Sequence, residues 1–281
     1  MNLYSAVMLA IDGTLADSSD QVSPNTKKLL NRMERRGIPV VLCSSRPPRY
    51  VKDAAHRCDL HSPVVCYSGG LILDEHDTIL EDAGIDGASA LRFKRFAANV
   101  YPDVSVTSWL YDVWLADSLQ DPNVRGAVRR QGREAVEGLL ENALRSGGHV
   151  HKLLCIGPPM QIRELWARSS PLFPNLCAVS AGAGCLEILS AGVSEYTAMK
   201  RIQQYYHVAA KQIVVVGDYL VDVEILRRAG LGIATGNAPD AVRQAAARVT
   251  ASKNEEGIYI ALKNLRFRPP EPETDSGPAC V

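Results

Sequence analysis

The chain has 281 residues, 46% of them hydrophobic, enough for a sizeable buried interior in one large domain or in a core carrying an insertion. Its 31 Lys and Arg offset 31 Asp and Glu, so no global field draws it to nucleic acid or to a membrane surface, and a small-molecule ligand or a protein partner is expected instead. The amino terminus has no basic segment, no run approaches the roughly eighteen apolar residues of a membrane helix, and the 7 cysteines form no CxxC pair; a cytoplasmic chain with free buried thiols is the expectation.

In chain order, the apolar run Ala6 to Ile11 ends in Asp12-Gly13-Thr14, the pattern of a buried parallel strand that delivers a carboxylate to a turn. Ser23 and Pro24 supply a helix N-cap and first-turn proline, Leu29, Leu30 and Met33 mark one face, and Gly37 stands where the helix would end. A strand from Ile38 to Cys43 opens into "SSRPPRY", and a third from Val64 to Tyr67 opens into "SGG". Strand, helix and strand in alternation imply an α/β fold, a doubly wound parallel sheet with its loops gathered at the carboxyl edge.

The pattern changes after Glu81 to Ser89. Val104 to Asp117 alternates Trp109, Tyr111 and Val113 with smaller residues, a long helix follows through Leu144, and a strand covers Val150 to Ile156. A helix near Met160 to Arg168 and strands at Leu176 to Val179 and Leu186 to Leu189 complete an inserted α+β cap, with "SAGAG", Ser180 to Gly184, as the second crossing. The doubly wound pattern then resumes with a helix near Thr197 to His207 and a strand from Ile213 to Val216 that runs into "GDYLVD". The expected division is a core at 1–82 and 184–266, a cap at 83–183, and a proline-rich disordered tail at 267–281.

Four segments, "AIDGTL", "CSSRP", "GVSEYTAM" and "GDYLVD", fall at strand ends or helix starts of one sheet, where a doubly wound fold places its ligand. With "YSGGLILD", "GNAPDAV" and "ASKNEEGI" they make the chain resemble the haloacid dehalogenase superfamily, specifically the Cof-type phosphatases, from Tyr4 to about Leu265. The resemblance implies a core of that type with an inserted cap, and magnesium-dependent hydrolysis of a phosphate ester. Its first motif, DxDGT, supplies a nucleophilic Asp and an acid/base Asp; Asp12 matches the second and Ala10 replaces the first. Ser44 matches the hydroxyl residue that hydrogen-bonds the phosphoryl group, Ser45 stands for a Gly, Arg46 is kept, and Asn237 of "GNAPDAV" is carried over as a further phosphate contact. Glu195 occupies the place of the Lys that neutralises phosphate and nucleophile. In the GDxxND motif Gly217, Asp218 and Asp222 match and Val221 replaces Asn, so Asp12, Asp218 and Asp222 remain as the implied magnesium ligands.

These losses are severe. Alanine has no atom that can attack phosphorus or coordinate magnesium, and removing a nucleophile costs about 10⁴ to 10⁶ in rate. At ~4 Å and an effective dielectric near 20, an ionised Glu in place of Lys exchanges about 4 kcal/mol of attraction per unit charge for similar repulsion. Each residue also has a plainer role: Asp12 as a turn residue, Ser44 and Ser45 as loop residues, Asp218 and Asp222 as solvated or capping groups, and Glu195 as an exposed first-turn residue that complements its helix dipole. Lys200 is five residues from Glu195, too far round the helix to replace the lost cation. Trp109, Tyr111 and Trp114 either line a pocket under the cap or pack in its core. Two functions follow: a silenced relative that binds a small, phosphorylated ligand or a protein, with magnesium weak or lost, and an active magnesium-dependent hydrolase of a small metabolite such as a sugar phosphate.

Overall fold

The computed structural model describes residues 3–17 and 21–271. A short strand β1 (Leu3–Tyr4) precedes β2 (Ala6–Ala10), buried along nearly its whole length. Helix α1 (Pro24–Glu34) starts as its sequence dictates, with the Ser23 hydroxyl accepting the Thr26 N–H. Then come β3 (Val40–Cys43), α2 (Pro48–Arg57), β4 (Val64–Cys66), β5 (Leu71–Leu73) and β6 (Ile79–Asp82). The last two run antiparallel to their neighbours, so this edge of the sheet departs from the all-parallel expectation.

The cap begins with α3 (Gly87–Val100). The stretch read as one alternating run is a hairpin of β7 (Ser105–Leu110) and β8 (Val113–Ala116), which turns at Tyr111 with φ +52°. The expected long helix is interrupted: α4 (Pro122–Gln131) ends at Gly132, which adopts the left-handed conformation at φ +62°, and β9 (Val136–Glu137) separates it from α5 (Leu140–Arg145). After β10 (Lys152–Ile156), α6 (Pro159–Leu172), β11 (Leu176–Ser180) and β12 (Cys185–Ser190), the cap sheet has the order β11-β12-β10-β7-β8-β9. Because β12 hydrogen-bonds to β10 and β11, residues 184–190 belong with the cap sheet, and the second crossing falls after Ser190, not at Ser180 to Gly184.

Alternation along β10 divides the cap sheet. Leu153 and Cys155 pack with Phe93, Ala97 and Leu165 of the cap helices, whereas Leu154 and Ile156 join the cluster continuous with the core. Lys152 shares that second face, which points to the cleft.

The core resumes with α7 (Glu195–Tyr205), β13 (Ile213–Gly217), α8 (Val223–Arg228), β14 (Leu231–Ala234), α9 (Asp240–Ala245), β15 (Arg248–Val249) and α10 (Gly257–Leu262). The core sheet order is β15-β14-β13-β2-β3-β4-β5-β6, parallel from β15 to β4. The chain winds from β2 toward β3 and β4, then returns on the other side through β13, which makes the carboxyl end of β2 the topological switch point. Phe267, expected at the start of the tail, lies instead in β16 (Arg266–Phe267), paired in parallel with β1. Residues 272–281 of the expected tail lie outside the described residues.

All seven cysteines except Cys280, which is outside the described residues, are free thiols, and Cys43, Cys58, Cys66 and Cys155 are buried. No helix among the described residues is long and apolar enough to cross a membrane.

Phe93 is fully buried and meets Phe173 edge-on at 5.1 Å between ring centres. Phe93→Ala is expected to cost about 3–5 kcal/mol of cap stability, read as a lowered urea midpoint for the cap's tryptophan fluorescence.

Candidate active site

The carboxyl ends of β2, β3 and β13 and the start of α7 converge on one cavity of about 470 Å³, roofed by the cap sheet. Ala10, Asp12, Ser44, Ser45, Arg46, Glu195, Asp218, Val221 and Asp222 all line it. The four segments singled out in the sequence are therefore neighbours in space. Asn237 is the exception: its amide donates to the Gly13 carbonyl at 2.9 Å and its Oδ1 accepts the Lys253 N–H at 2.9 Å, so it ties loops together beside the cavity and does not line it.

The loop after β2 is held by contact with the loop after β13. Gly13 has φ +74°, and a Cβ there would lie 2.0 Å from Asp218 Oδ2; only glycine allows this approach. The Thr14 hydroxyl donates to Asp218 Oδ1 at 2.7 Å. Asp12 is equally committed. Its Oδ1 meets Arg46 Nη2 at 2.7 Å and accepts the Tyr50 hydroxyl at 3.1 Å, while Oδ2 accepts the Ser44 hydroxyl at 2.9 Å. With these three partners the carboxylate does more than form a turn: it ties the loop after β2 to the loop after β3 and to α2.

Glu195 departs most from expectation. It is the first residue of α7, behind the reciprocal Ser194–Thr197 capping box, yet it is only 6% exposed. Burial pushes its carboxyl well above the usual glutamate range, reinforced by the Asp222 charge, a hydrogen bond with Asp222 and the charge of Asp218. A carboxyl held in this way resists ionisation, which lessens the repulsion that an ionised Glu would impose. Asp222, 2% exposed, accepts the backbone N–H groups of Asp218 and Tyr219 through Oδ2, both at 2.8 Å. Burial also pushes Asp218 up to about 6, with the Thr14 hydrogen bond opposing and Asp222 adding to the rise. Lys200 lies over the Tyr196 ring at 4.5 Å and does not line the cavity.

Several lining residues were not singled out in the sequence. Lys152 of β10, 4% exposed, donates from Nζ to the Ser45 carbonyl at 2.7 Å and pairs with Glu187 at 2.6 Å. This joins the cap to the loop after β3. Arg49 N–H donates to Asp112 Oδ1 at 2.7 Å, and the Tyr67 hydroxyl donates to the Tyr111 carbonyl, so the hairpin is fastened to the core as well. The signal for Lys152 was a charged residue at the strand position that shares a face with Leu154 and Ile156. Trp109 lines the cavity and stacks on Trp114 at 5.3 Å, Trp114 is packed and donates to Thr107, and Tyr111 forms the hairpin turn outside the cavity.

The donor set does not fit a tight magnesium site. Ala10 offers no oxygen, Asp222 is engaged by two N–H groups and Glu195, and Asp218 Oδ1 is taken by Thr14; magnesium requires near-octahedral oxygen ligation. Among the described residues, the one grouping of three His, Cys, Asp or Glu side chains with ligand atoms within 4.8 Å lies at the crossing between core and cap: Asp82, His149 and His151. His149 Nδ1 is 2.9 Å from Asp82 Oδ2, and His151 Nε2 is 3.4 Å from Oδ1. The Tyr111 N–H donates to His151 Nδ1 at 3.1 Å, so the neutral ring carries its proton on Nε2 and has no lone pair there for a metal.

A model of the haloacid dehalogenase-like hydrolases matches residues 7–262. The chain belongs to this family. A putative phosphatase of Haemophilus influenzae is 28% identical over 261 residues, covering 93% of this chain and 98% of that protein. A 5-amino-6-(5-phospho-D-ribitylamino)uracil phosphatase of Bacillus subtilis is 25% identical over 272 residues, covering 92% and 96%. The crystal structure of a Thermotoga maritima protein superposes with a TM-score of 0.83 at 21% identity, covering 94% and 98%, and shares the fold.

Glu195 binds its proton more tightly folded than unfolded, so its contribution falls as pH rises above the unfolded value of 4.5 toward its raised folded one. Glu195→Gln keeps the shape without the titration. The variant's melting temperature is expected to exceed the wild type's at pH 8 by more than at pH 5; equal differences at both values would contradict a buried protonated carboxyl.

Proposed function

We propose that this chain is a haloacid dehalogenase-like protein whose phosphatase chemistry is silenced and whose cleft binds a small anionic ligand. The observation that carries the reading is Ala10: the strand position that faces the cleft beside Asp12, Ser44 and Asp218 holds a methyl group, and no other described carboxylate is free to take its part. Asp12, the acid/base position by resemblance, is ion-paired with Arg46. Glu195 stands where a cation would neutralise phosphate, and its buried carboxyl supplies none. Magnesium is bound weakly or not at all, because the residues at its family position are engaged with one another. A cytoplasmic setting accords with the free buried thiols.

A second reading, an active hydrolase of a small phosphorylated metabolite, is favoured by the retained convergence of Asp12, Ser44, Arg46 and Asp218 and by the phosphatase names of its relatives. In that case Asp12 would act on water directly.

Assays separate the two. With magnesium and p-nitrophenyl phosphate or sugar phosphates, turnover is expected to stay far below about 1 s⁻¹, the low end of typical enzymes. Turnover at or above that level, abolished by Asp12→Asn, would establish the active reading. Repair is the complementary test. Ala10→Asp with Glu195→Lys is expected to give measurable phosphatase activity, and either single change far less, because a new Asp without the Lys adds charge to an acidic floor. A folded double variant that stays inert would show that Ser45 or Val221 is not tolerated.

A further inference from the structure

The cleft has an uneven charge distribution. Its floor carries Glu195, Asp218 and Asp222, and the one lysine on its roof, Lys152, is already paired with Glu187 and bonded to the Ser45 carbonyl. Its mouth is different. Arg46 sits over the Tyr50 ring with its guanidinium carbon 4.3 Å from the ring centre, and Arg133, from the cap loop after α4, approaches the same ring at 5.3 Å. Both arginines line the main cavity and also an adjoining one of about 430 Å³ that includes Tyr50, Gly132 and Lys253 together with Asp12 and Asp17.

The two guanidinium groups differ in their commitments. Arg46 uses Nη2 for Asp12, which leaves further N–H donors of its fork. Arg133 makes no ion pair among the described residues and lies against the Tyr50 ring. It is partly buried, follows the left-handed Gly132 that ends α4, and lines both cavities. Stacking on one tyrosine also limits the rotamers of both side chains, so little freedom is lost when an oxyanion bridges them.

We propose that Arg46 and Arg133, both stacked on Tyr50, form a clamp for the oxyanion of the ligand at the mouth of the cleft, displaced outward from the position beside Ser44 and Ala10 where the family's phosphoryl group would lie. The proposal rests on the ligand-binding reading above and adds where the charged group sits. The ligand is a small carboxylate or phosphate monoester. Its anionic end takes bidentate hydrogen bonds from the two forks, and its body lies inward under the cap against Trp109 and Leu154, which line the roof. An anion driven deeper would meet Asp218 and Asp222 and, in Lys152, a cation already paired with Glu187. The clamp also joins the two parts of the chain, since Arg46 and Tyr50 belong to the core and Arg133 to the cap.

Tungstate and ribose 5-phosphate test this on the intact chain. A crystal soaked in tungstate is expected to show its anomalous peak between the two guanidinium groups. Calorimetry with ribose 5-phosphate is expected to show affinity about tenfold or more weaker in Arg133→Ala, with Arg133→Lys between it and the wild type because the charge is kept and the fork lost. A tungstate peak against Ser44 and Ala10, or an affinity indifferent to Arg133→Ala, would overturn the clamp while leaving a ligand-binding cleft in place. Absence of both a peak and saturable binding would overturn the clamp together with the ligand-binding reading.

Discussion

The site is organised around two acidic side chains buried side by side, Glu195 and Asp222. Burial holds the Glu195 carboxyl well above the usual glutamate range, and the charge of Asp222 pushes in the same direction. In the family pattern the same space serves a lysine and a metal. Here α7 brings an acidic first residue against the loop after β13, and Asp222 organises that loop by accepting the Asp218 and Tyr219 N–H groups. The arrangement is stable because it is internally satisfied, and for the same reason it has little to offer a phosphate.

The remaining contacts follow the same logic. Many of the polar groups around the cleft floor are turned toward one another: Ser44 and one Arg46 nitrogen to Asp12, Thr14 to Asp218, Lys152 to Glu187 and the Ser45 carbonyl. Cationic character survives at the mouth, on Arg46 and Arg133, and not at the floor. With alanine at position 10 and a buried glutamate at position 195, the positive charge that lines the cleft besides the paired Lys152 lies at its mouth, on Arg46 and Arg133.

Much of this architecture was legible in the sequence because it is written in local signals. Ser23-Pro24 starts α1 as its capping chemistry requires, and Asp12, Ser44 and Asp218 fall at strand ends that a doubly wound sheet must bring together. Where the reading failed, tertiary context decided. The two short strands Leu71–Leu73 and Ile79–Asp82 turn back on the sheet at "SGG" and at Asp74, signals that mark a turn without giving the direction of the strand that follows. Gly132 was overlooked as a helix stop, so α4 and α5 merged into one. The apolar strand Cys185–Ser190 reads equally well in either sheet, and only its pairing with β10 assigns it to the cap. The plainer role for Glu195, an exposed first-turn residue, fails for a similar reason: a capped first-turn glutamate carries no mark of what covers it. Lys152, Tyr50 and Arg133 reach the cleft from three separate segments, and their proximity exists only once the cap closes over the core.

The protonation state of Glu195 tests the account most directly. With ¹³C-labelled glutamate and the Glu195→Gln variant to assign the resonance, carbon NMR can follow its carboxyl as pH is raised. The account predicts a Glu195 carbon still at the protonated position at pH 7, where exposed glutamates are fully ionised. A resonance that titrates with the exposed glutamates, near pH 4.5, would contradict a carboxyl held above the usual glutamate range by burial.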